Sequence, residues 1–410
     1  MFGPPGQRGP LLFITLTVLL DTMGFGLIVP VLPNLVSDLG NVPLNEAAII
    51  GGTLIMTYAL AQFLFSPVVG GLSDAYGRRP VLLVSMAGFA ANMLIMAFAP
   101  VLWLFFVGRA LSGITGASYT TAYAYISDVT PQERRAETFG LVGVAFGLGF
   151  IVGPALGGLL GAENVRLPFF AAAGLAGLNL LLGIFLLPES LPAAMRRPFD
   201  WRRANPVGSL KQIARLGGPL RRLAVTYFLW MMAIQSLHGI WSYVAAYRYQ
   251  WTPFGIGLSL TLVGVLAVVV NGFLVKKSVK TFGEWQTAMI GLTAGTIGYA
   301  MHFLADAAWL AYAAIIVGAL GGLAVPALQA MMTARADPSA QGELQGGLAT
   351  LSSLTVIAGP IIFSQIFVRF SGEHAAIHAP GAPFLLATLL SGLALLMMSR
   401  SERTSPAVAS

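Results

Sequence analysis

Long apolar runs separated by short polar stretches dominate this chain of 410 residues. A helix that crosses a membrane needs about 20 mostly apolar residues, and twelve of the runs have roughly this length. The pattern therefore predicts an all-α integral membrane protein with twelve transmembrane helices. The predicted spans are about residues 11–33, 46–69, 80–99, 101–124, 136–161, 167–187, 222–247, 254–275, 285–304, 308–333, 343–369 and 382–399.

One connecting stretch is long and basic. Residues 188–221 are rich in arginine and too polar to cross a membrane, so they predict a cytoplasmic linker between two sets of six helices. The part around Trp201 to Leu216 predicts an amphipathic segment that lies at the membrane surface. The predicted domains are an N-terminal six-helix bundle at 1–187, the linker at 188–221 and a C-terminal six-helix bundle at 222–410.

Landmarks of the first half return in the second half at a constant spacing. Gly77 lies 206 residues before Gly283, and the Gly-Pro pair at 153–154 lies 206 residues before the Gly-Pro pair at 359–360. Each landmark returns in an equivalent loop or helix, which indicates that a six-helix unit was duplicated. Because six is an even number, both units would enter the membrane in the same direction.

Composition excludes an ordinary soluble protein. The chain is 56% hydrophobic and 10% charged, with a mean hydropathy of +0.79, whereas soluble domains carry about 25% charged residues. Basic residues outnumber acidic ones by 23 to 16, and 19 of the 23 fall on the side of the membrane that holds the N-terminus in this topology. The positive-inside rule therefore predicts that both termini are cytoplasmic. It also accounts for the positive charge without nucleic-acid binding.

Candidate enzyme chemistry is scarce in this sequence. The chain has no cysteine, which excludes disulfides, thiolate metal sites and thiol nucleophiles. Its four histidines show no metal-ligand spacing. No Walker-type lysine motif is present, so ATP is not expected to drive the protein. We therefore expect no enzyme activity, no metal and no cofactor.

The stretch from Gly70 to Pro80 connects the second and third predicted helices and reads GGLSDAYGRRP. It resembles the loop signature of the major facilitator superfamily, G-x-L-[AS]-D-x-x-G-R-R, with one alanine where that family usually has a basic residue. The resemblance implies that Asp74 faces the N-terminus of the eleventh helix, near Gly342 to Gln345, and that Arg78 joins Asp128 in a cytoplasmic charge cluster. The residues expected to act in gating and conformational change here are Gly70, Asp74, Gly77, Arg78, Arg79 and Asp128.

The fifth predicted helix carries glycines at positions 143, 147, 153 and 157, which leave one face with almost no side chains. Pro154 removes a backbone hydrogen bond and is expected to bend the helix. The form G-x-x-x-G-P-x-x-G-G resembles the antiporter motif of the same superfamily, which is found mainly in exporters. The resemblance favours export over import. It also implies that Gly153, Pro154 and Gly157 act in gating and conformational change.

Five further blocks narrow the resemblance: Asp21–Pro33, Tyr58–Gln62, Gly108–Ala117, Pro326–Gln329 and Gln341–Gly346. They are similar to the tetracycline-resistance class of drug:proton antiporters within this superfamily. That class implies two parallel-repeat six-helix bundles, with a substrate site between them near the middle of the membrane. The chain departs from the class at Asn92, Ala267 and Gly295, where the class has an aspartate, a histidine and an aspartate tied to drug and proton handling.

Two charged side chains are predicted inside helices. Asp21 lies about ten residues into the first helix and Arg109 lies inside the fourth, and a charge in hydrocarbon is expensive enough to mark a functional site. Both match the tetracycline-resistance class, so we expect Asp21 to bind and release protons and Arg109 to act on it electrostatically. Neutral polar and aromatic residues near mid-helix are expected to line a substrate cavity: Gln62, Asn92, Tyr119, Tyr123, Gln235, His238, Trp241, Asn271 and Gln329.

Other interpretations fit the same residues. Any one of the polar side chains could instead join two helices, and the aromatic ones could be packing or interface residues. The sequence favours a secondary active transporter that exports an amphipathic, drug-like molecule, with tetracycline as one candidate, in exchange for protons. A proton-coupled symporter that imports a small nutrient or metabolite is the alternative on the same fold, and a membrane enzyme or receptor is a third. We expect a monomeric, multi-pass protein of the cell inner membrane.

Overall fold

The computed structural model describes residues 8–116, 118–131, 134–200, 217–337, 340–372 and 375–400. The side chains of residues 8, 118–120, 136 and 137 are outside that description, as is the predicted amphipathic segment around Trp201 to Leu216. The chain divides into two compact units, each with its own core. Unit 1 is Met1–Pro206 with Gln250–Gly264, and unit 2 is Val207–Tyr249 with Val265–Ser410.

Helices form almost all of the described part of the chain. The first eight are α1 Arg8–Ile28, α2 Leu32–Gly40, α3 Leu44–Tyr76, α4 Arg78–Phe98, α5 Leu102–Thr115, α6 Ser118–Val129, α7 Arg135–Glu163 and α8 Leu167–Leu186. The others are α9 Gly218–Tyr249, α10 Pro253–Val269, α11 Val275–Leu304, α12 Ala308–Ala319, α13 Ala324–Arg335, α14 Gln341–Ser371 and α15 Ala382–Ser399. A π-helical turn joins α10 to α11 at Val270–Leu274, and 3₁₀ turns lie at Ala193–Met195 and Leu320–Leu323.

Ten helical stretches of the described residues are long and apolar enough to cross a membrane. One of them, Pro253–Leu304, has 52 residues and contains a break at Gly283 that divides it into two crossings. The shorter apolar helix α5, continued by α6, supplies one more. The all-α membrane fold predicted from the sequence is therefore confirmed, and the helices are consistent with twelve crossings.

Two predicted spans are interrupted by residues that lie outside any helix. The predicted first span, 11–33, is divided between α1 and α2. Pro30 lies in the gap because it has no N–H for a helical hydrogen bond, whereas Pro33 fits the first turn of α2. The predicted fourth span, 101–124, is interrupted between α5 and α6. The prediction of one continuous helix is therefore wrong at both places.

The two units share one packing pattern. In unit 1, α1 packs on α7 and α8, and α4 packs on α5 and α8. In unit 2, α9 packs on α14 and α15, and α11 packs on α12 and α15. These helix pairs correspond element by element, as the predicted duplication requires.

The signature stretch turns at a single glycine. The predicted second span ends at residue 69, but α3 continues through Tyr76 and α4 begins directly at Arg78. Gly77 alone forms the turn, with φ 108° and ψ 161°, angles that glycine adopts readily and other residues avoid. Gly283 has nearly the same angles in unit 2, φ 81° and ψ 169°. The equivalent turns agree with the spacing that indicated a duplication.

Two arginines on the predicted outer side bind the ends of equivalent helices. Arg166 donates from Nη1 to the carbonyl oxygen of Ala97 (2.8 Å) and from Nη2 to that of Ala99 (2.9 Å), at the C-terminal end of α4. Arg248 donates from Nη1 to the carbonyl oxygen of Phe303 (3.1 Å), at the end of α11. The last carbonyls of a helix have no partner within the helix. These two arginines therefore have a structural reason to lie opposite the basic side.

Candidate functional site

The polar centre of unit 1 brings together side chains from three helices. Asp21 on α1 is half-buried, and Arg109 on α5 is buried. Tyr58 on α3 is half-buried and interacts electrostatically with both of them. We call Asp21, Tyr58, Gln62 and Arg109 the unit 1 polar centre. It contains the two charges predicted inside helices, and it adds a hydroxyl group that the sequence analysis did not single out.

Gln62 fixes the position of that hydroxyl group. Its Nε2 donates to the Oη of Tyr58 (3.1 Å) and to the carbonyl oxygen of Gly116 (3.1 Å). Because a carbonyl oxygen only accepts, the contact with Gly116 identifies the atom as the amide nitrogen. In the sequence, Tyr58 begins the block Tyr58–Gln62 that carries the family resemblance, and it lies four residues before Gln62, on the same face of a helix.

The packing of α5 against α3 depends on glycine. A Cβ atom at Gly113 would lie 2.5 Å from the carbonyl oxygen of Tyr58. A Cβ atom at Gly116 would lie 3.3 Å from the Oη of Tyr58 and 3.4 Å from the Nε2 of Gln62. Small residues let two membrane helices approach closely. The two glycines therefore fix the register of α3 and α5, and with it the geometry of the unit 1 polar centre.

Asn92 lies beside this centre but is closed off. It is fully buried in α4, and neither its Oδ1 nor its Nδ2 has a hydrogen-bond partner among the described residues. A Cβ atom at Gly108 would lie 2.5 Å from the Oδ1 of Asn92, so the amide is pressed against α5 one residue before Arg109. Asn92 therefore lies in a helix interface in this structure, and its expected role in the substrate cavity stays a prediction.

A charge cluster surrounds the turn of the signature stretch on the predicted cytoplasmic side. Arg78 binds Asp74 through Nη1 (2.5 Å) and Asp128 through Nε (3.2 Å). Asp128 also accepts a hydrogen bond from the Oγ of Ser190 (3.0 Å). The structure therefore brings Arg78 and Asp128 together, as the family resemblance implied. Gly70 lies in α3, where no atom outside its helix would contact an added Cβ.

Glu189 completes this cluster, although no pattern in the sequence had marked it as a candidate. Its carboxylate accepts hydrogen bonds from the backbone N–H groups of Arg78 (2.8 Å) and Arg79 (3.3 Å), the first residues of α4. A carboxylate is favoured at a helix N-terminus, where unpaired N–H groups carry partial positive charge. A Cβ atom at Gly77 would overlap the Glu189 carboxylate, so the turn needs glycine for space as well as for its angles.

The chain beyond Glu189 continues along the end of α3. The backbone N–H of Arg197 donates to the carbonyl oxygen of Asp74 (3.1 Å), and the ring of Phe199 would be 2.9 Å from a Cβ atom at Gly71. Arg79 donates from Nη2 to the carbonyl oxygen of Ile184 (2.7 Å). The first part of the predicted linker is therefore docked on unit 1 over the signature stretch.

We expect Glu189→Gln to lower the free energy of unfolding by about 0.3–1 kcal/mol, because the variant keeps the side-chain shape and loses the charge at the N-terminus of α4. Thermal unfolding of the purified protein in detergent measures the change. Glu163→Gln is the matched control, since Glu163 is exposed and is the last residue of α7, where a negative charge is unfavourable. An equal loss of stability in both variants would contradict the capping role.

The glycine face of α7 packs on α1. A Cβ atom at Gly153 would lie 2.6 Å from the carbonyl oxygen of Met23, and one at Gly157 would overlap the carbonyl oxygen of Leu27. Gly143, in contrast, is exposed and has no atom within 4 Å of the equivalent position. The glycines that contact α1 therefore lie toward the C-terminal end of α7, whereas the sequence predicted one contact face that also included Gly143.

Pro154 lies where α7 contacts a second helix. On this side α7 meets the first part of α10, which belongs to unit 1. A Cβ atom at Gly158 would lie 2.7 Å from the carbonyl oxygen of Pro253. The Oγ1 of Thr261, which donates to the carbonyl oxygen of Gly257 (2.8 Å), also lies 3.3 Å from the carbonyl oxygen of Ile151, three residues before the proline. The antiporter-like motif thus forms two tight helix contacts at once.

The predicted cavity residues of α9 separate into two groups. Trp241 is buried, with its ring centroid 5.2 Å from that of His302 and 6.4 Å from that of Phe384. Gln235 is buried and donates from Nε2 to the Oγ1 of Thr355 at 3.5 Å. The structure therefore uses both in helix packing inside unit 2. His238 is exposed on α9 and stays a candidate for substrate contact.

The other candidates lie at accessible positions. Asn271 is exposed within the π-helical turn and donates from Nδ2 to the carbonyl oxygen of Ala267 (2.9 Å). Gln329 is half-buried in α13. Tyr123 is exposed on α6 and packs on the ring of Phe139, with centroids 5.4 Å apart. The side chain of the last candidate, Tyr119, lies outside the described residues.

Gly295 has no space for a longer side chain. A Cβ atom there would overlap the indole ring of Trp230, which is buried and also covers Gly321 in the 3₁₀ turn Leu320–Leu323. An aspartate at this position would have to displace that ring. The departure from the tetracycline-resistance class at Gly295 is thus accompanied by an aromatic side chain that fills the site.

Comparisons with known proteins agree with this fold and with the motifs. The family model described as Major Facilitator Superfamily matches residues 14–360. The class C tetracycline resistance protein of Escherichia coli is 44% identical over 361 residues, which cover 88% of this chain and 90% of that protein. The class G tetracycline resistance protein of Vibrio anguillarum is 38% identical over 368 residues, which cover 89% of this chain and 92% of that protein.

A solved structure supports the fold alone. It is the inward-facing, occupied form of a bacterial homologue of the human lysosomal transporter Spinster, which aligns with a TM-score of 0.78 and 15% identity over 99% of this chain and 100% of that one. The family match extends over most of the chain, and the class C and class G relatives match it over nearly nine-tenths of its length. The chain therefore belongs to the major facilitator superfamily of membrane transporters.

Proposed function

We propose that this transporter moves a tetracycline-class drug out across the inner membrane in exchange for protons. The observation that carries the proposal is the unit 1 polar centre. An acid and an arginine lie on separate helices of an apolar bundle, within electrostatic range of one tyrosine. Charges inside membrane helices mark ion and substrate pathways, and the relatives reported above are tetracycline resistance proteins.

Asp21 is the group that would carry the coupling proton. It is half-buried, so it can exchange a proton with an aqueous path while it still lies among apolar helices. Arg109 keeps its charge at any physiological pH and acts through its field. Apolar surroundings favour the neutral acid, and a nearby guanidinium favours the carboxylate. A conformational change that alters their separation would let Asp21 take up a proton from outside and release it to the cytoplasm.

Accessible polar side chains are the candidates for drug binding. Gln62 and Gln329 are half-buried, while Tyr123, His238 and Asn271 are exposed. Tetracycline is the drug that the relatives' names give. At positions 92 and 295 the tetracycline-resistance class has aspartates tied to drug and proton handling. In this chain Asn92 and Gly295 lie at tight packing contacts instead. We therefore propose that the accessible polar side chains named above make the drug contacts in this chain.

The proposal includes an orientation and an assembly. Most basic residues lie on the side of the signature cluster, which supports cytoplasmic termini. Each unit has its own helix packing, and we propose a monomer as the transporting form. The predicted latch between Asp74 and the N-terminus of the eleventh helix stays a prediction.

Inverted membrane vesicles test the direction of transport. With the vesicle interior acidified, we expect tetracycline to accumulate inside, because protons leaving through the protein would drive the drug in the opposite direction. A protonophore should abolish the accumulation, and vesicles without the protein should show none. Accumulation found only in right-side-out vesicles with acid outside would support the importer instead. Accumulation of another amphipathic drug but not of tetracycline would contradict the substrate class and keep the direction.

A further inference from the structure

Two exposed tryptophans occupy the same place in the two units. Trp103 is the second residue of α5 and Trp309 is the second residue of α12, and they are 206 residues apart, which is the spacing of the duplicated landmarks. Trp103 is 63% exposed and Trp309 is 70% exposed, whereas Trp230 and Trp241 are buried in unit 2. Packing within the described units therefore does not account for the two exposed tryptophans.

The lengths of the preceding helices place both tryptophans at one edge of the membrane. α4 runs for 21 residues from the turn at Gly77, and Trp103 follows five residues after its end. In unit 2 the 21 residues 284–304 run from the turn at Gly283, and Trp309 again follows five residues after the end. A helix of 21 residues is about 31 Å long, close to the thickness of the hydrocarbon core, about 30 Å. The tryptophans and the one-residue turns therefore lie at opposite edges of that core.

The backbone before each tryptophan gives the same depth independently. Val101 (φ −142°, ψ 148°) and Ala307 (φ −123°, ψ 150°) are extended and lie outside any helix. A turn of this kind does not face hydrocarbon, because its N–H and C=O groups would lack partners there. Each turn therefore lies at the polar boundary of the membrane. Trp103 and Trp309 follow two residues later, about 3 Å along their helices.

We propose that Trp103 and Trp309 bind the lipid interface of the leaflet opposite the signature stretch, one residue for each unit. An indole ring combines a large apolar surface with one N–H donor, so it is most stable where acyl chains meet headgroups and water. Phe98 and Leu304, the last residues of α4 and α11, are also exposed and lie at the same edge. Each unit is thereby held at a defined depth in the membrane by lipid contacts at this edge.

Quenching of tryptophan fluorescence by brominated phospholipids tests the inference. The full-length protein is reconstituted in vesicles whose lipids carry bromine either near the headgroup or near the end of the acyl chain. Trp103→Phe and Trp309→Phe keep an aromatic ring and remove one indole each, so the difference from the wild type isolates the emission of that tryptophan. We expect bromine near the headgroup to quench both isolated emissions, and to quench them more strongly than bromine near the chain end.

Trp230→Phe is the matched control. Trp230 is 2% exposed, with its ring against Gly295 and Gly321, so its isolated emission should be quenched less by either lipid. Stronger quenching of Trp103 or Trp309 by the chain-end bromine would overturn the inference, as would a response no larger than that of Trp230. Quenching that appears only when the protein is diluted in lipid would also overturn it, because a second copy of the chain would then cover the site. The measurement uses no transport, so its outcome is independent of the proposed function.

Discussion

Asp21→Asn is expected to abolish proton-driven accumulation of the drug in inverted vesicles. The amide has the shape of the acid but binds no proton in the physiological range, so the conformational cycle would lose its coupling. Asp21 lies about ten residues, or roughly 15 Å, from the cytoplasmic end of its predicted span, deep enough that no loop acid could replace it. Binding of the drug, measured with purified protein, should persist because the scaffold is unchanged.

Asp38→Asn is the control for this prediction. Asp38 is exposed on α2, so the same chemical change there should leave transport intact.

Arg109→Lys should impair transport as well, because a point charge does not replace a planar guanidinium. If the Asp21 variant still concentrates the drug near the wild-type rate, another group carries the proton. His238, which is exposed on α9, would then be the next group to change.

Gly157→Ala is expected to cause the second large loss. Its Cβ atom would overlap the carbonyl oxygen of Leu27, a backbone atom of α1 that cannot rotate away as a side chain can. Overpacking of a tight interface costs about 1–3 kcal/mol, and here it would separate α1, which carries Asp21, from α7. We expect a lower unfolding temperature in detergent together with a strong loss of transport rate.

Gly143→Ala is the matched change on the same helix. An added Cβ at Gly143 has no atom within 4 Å, and alanine favours a helix more than glycine does. We therefore expect wild-type stability and transport. Equal behaviour of the two variants, either both impaired or both unimpaired, would show that the close contact of α7 with α1 does not control the transport rate.

The membrane fold could be predicted because each crossing is an apolar run bounded by polar residues. The same boundaries do not predict where each helix begins and ends. Polarity indicates that a segment leaves the membrane, not that it leaves the helix. The predicted connection at 276–284 is helical on both sides of Gly283, and α3 continues seven residues past its predicted end at residue 69.

The site was only partly predictable because a side chain's role depends on what faces it. Asp21 and Arg109 were identified because charge in an apolar run is rare. Tyr58 resembles any aromatic residue of a membrane helix, and Glu189 resembles any linker charge, until their partners are known. Trp241 was expected to line the substrate cavity because it is an aromatic residue near the middle of a predicted helix. In the structure it is packed against other aromatic rings.

The one-residue turns at Gly77 and Gly283 leave no slack between the helices that they join. A longer loop absorbs an inserted residue at little cost, but here an insertion would enter a helix or displace the single residue with φ above zero. One added helical residue rotates everything beyond it by about 100°. It would turn the packed face of α4 away from α5 and α8. At these two hairpins the chain length itself is therefore under constraint, independently of which side chains it carries.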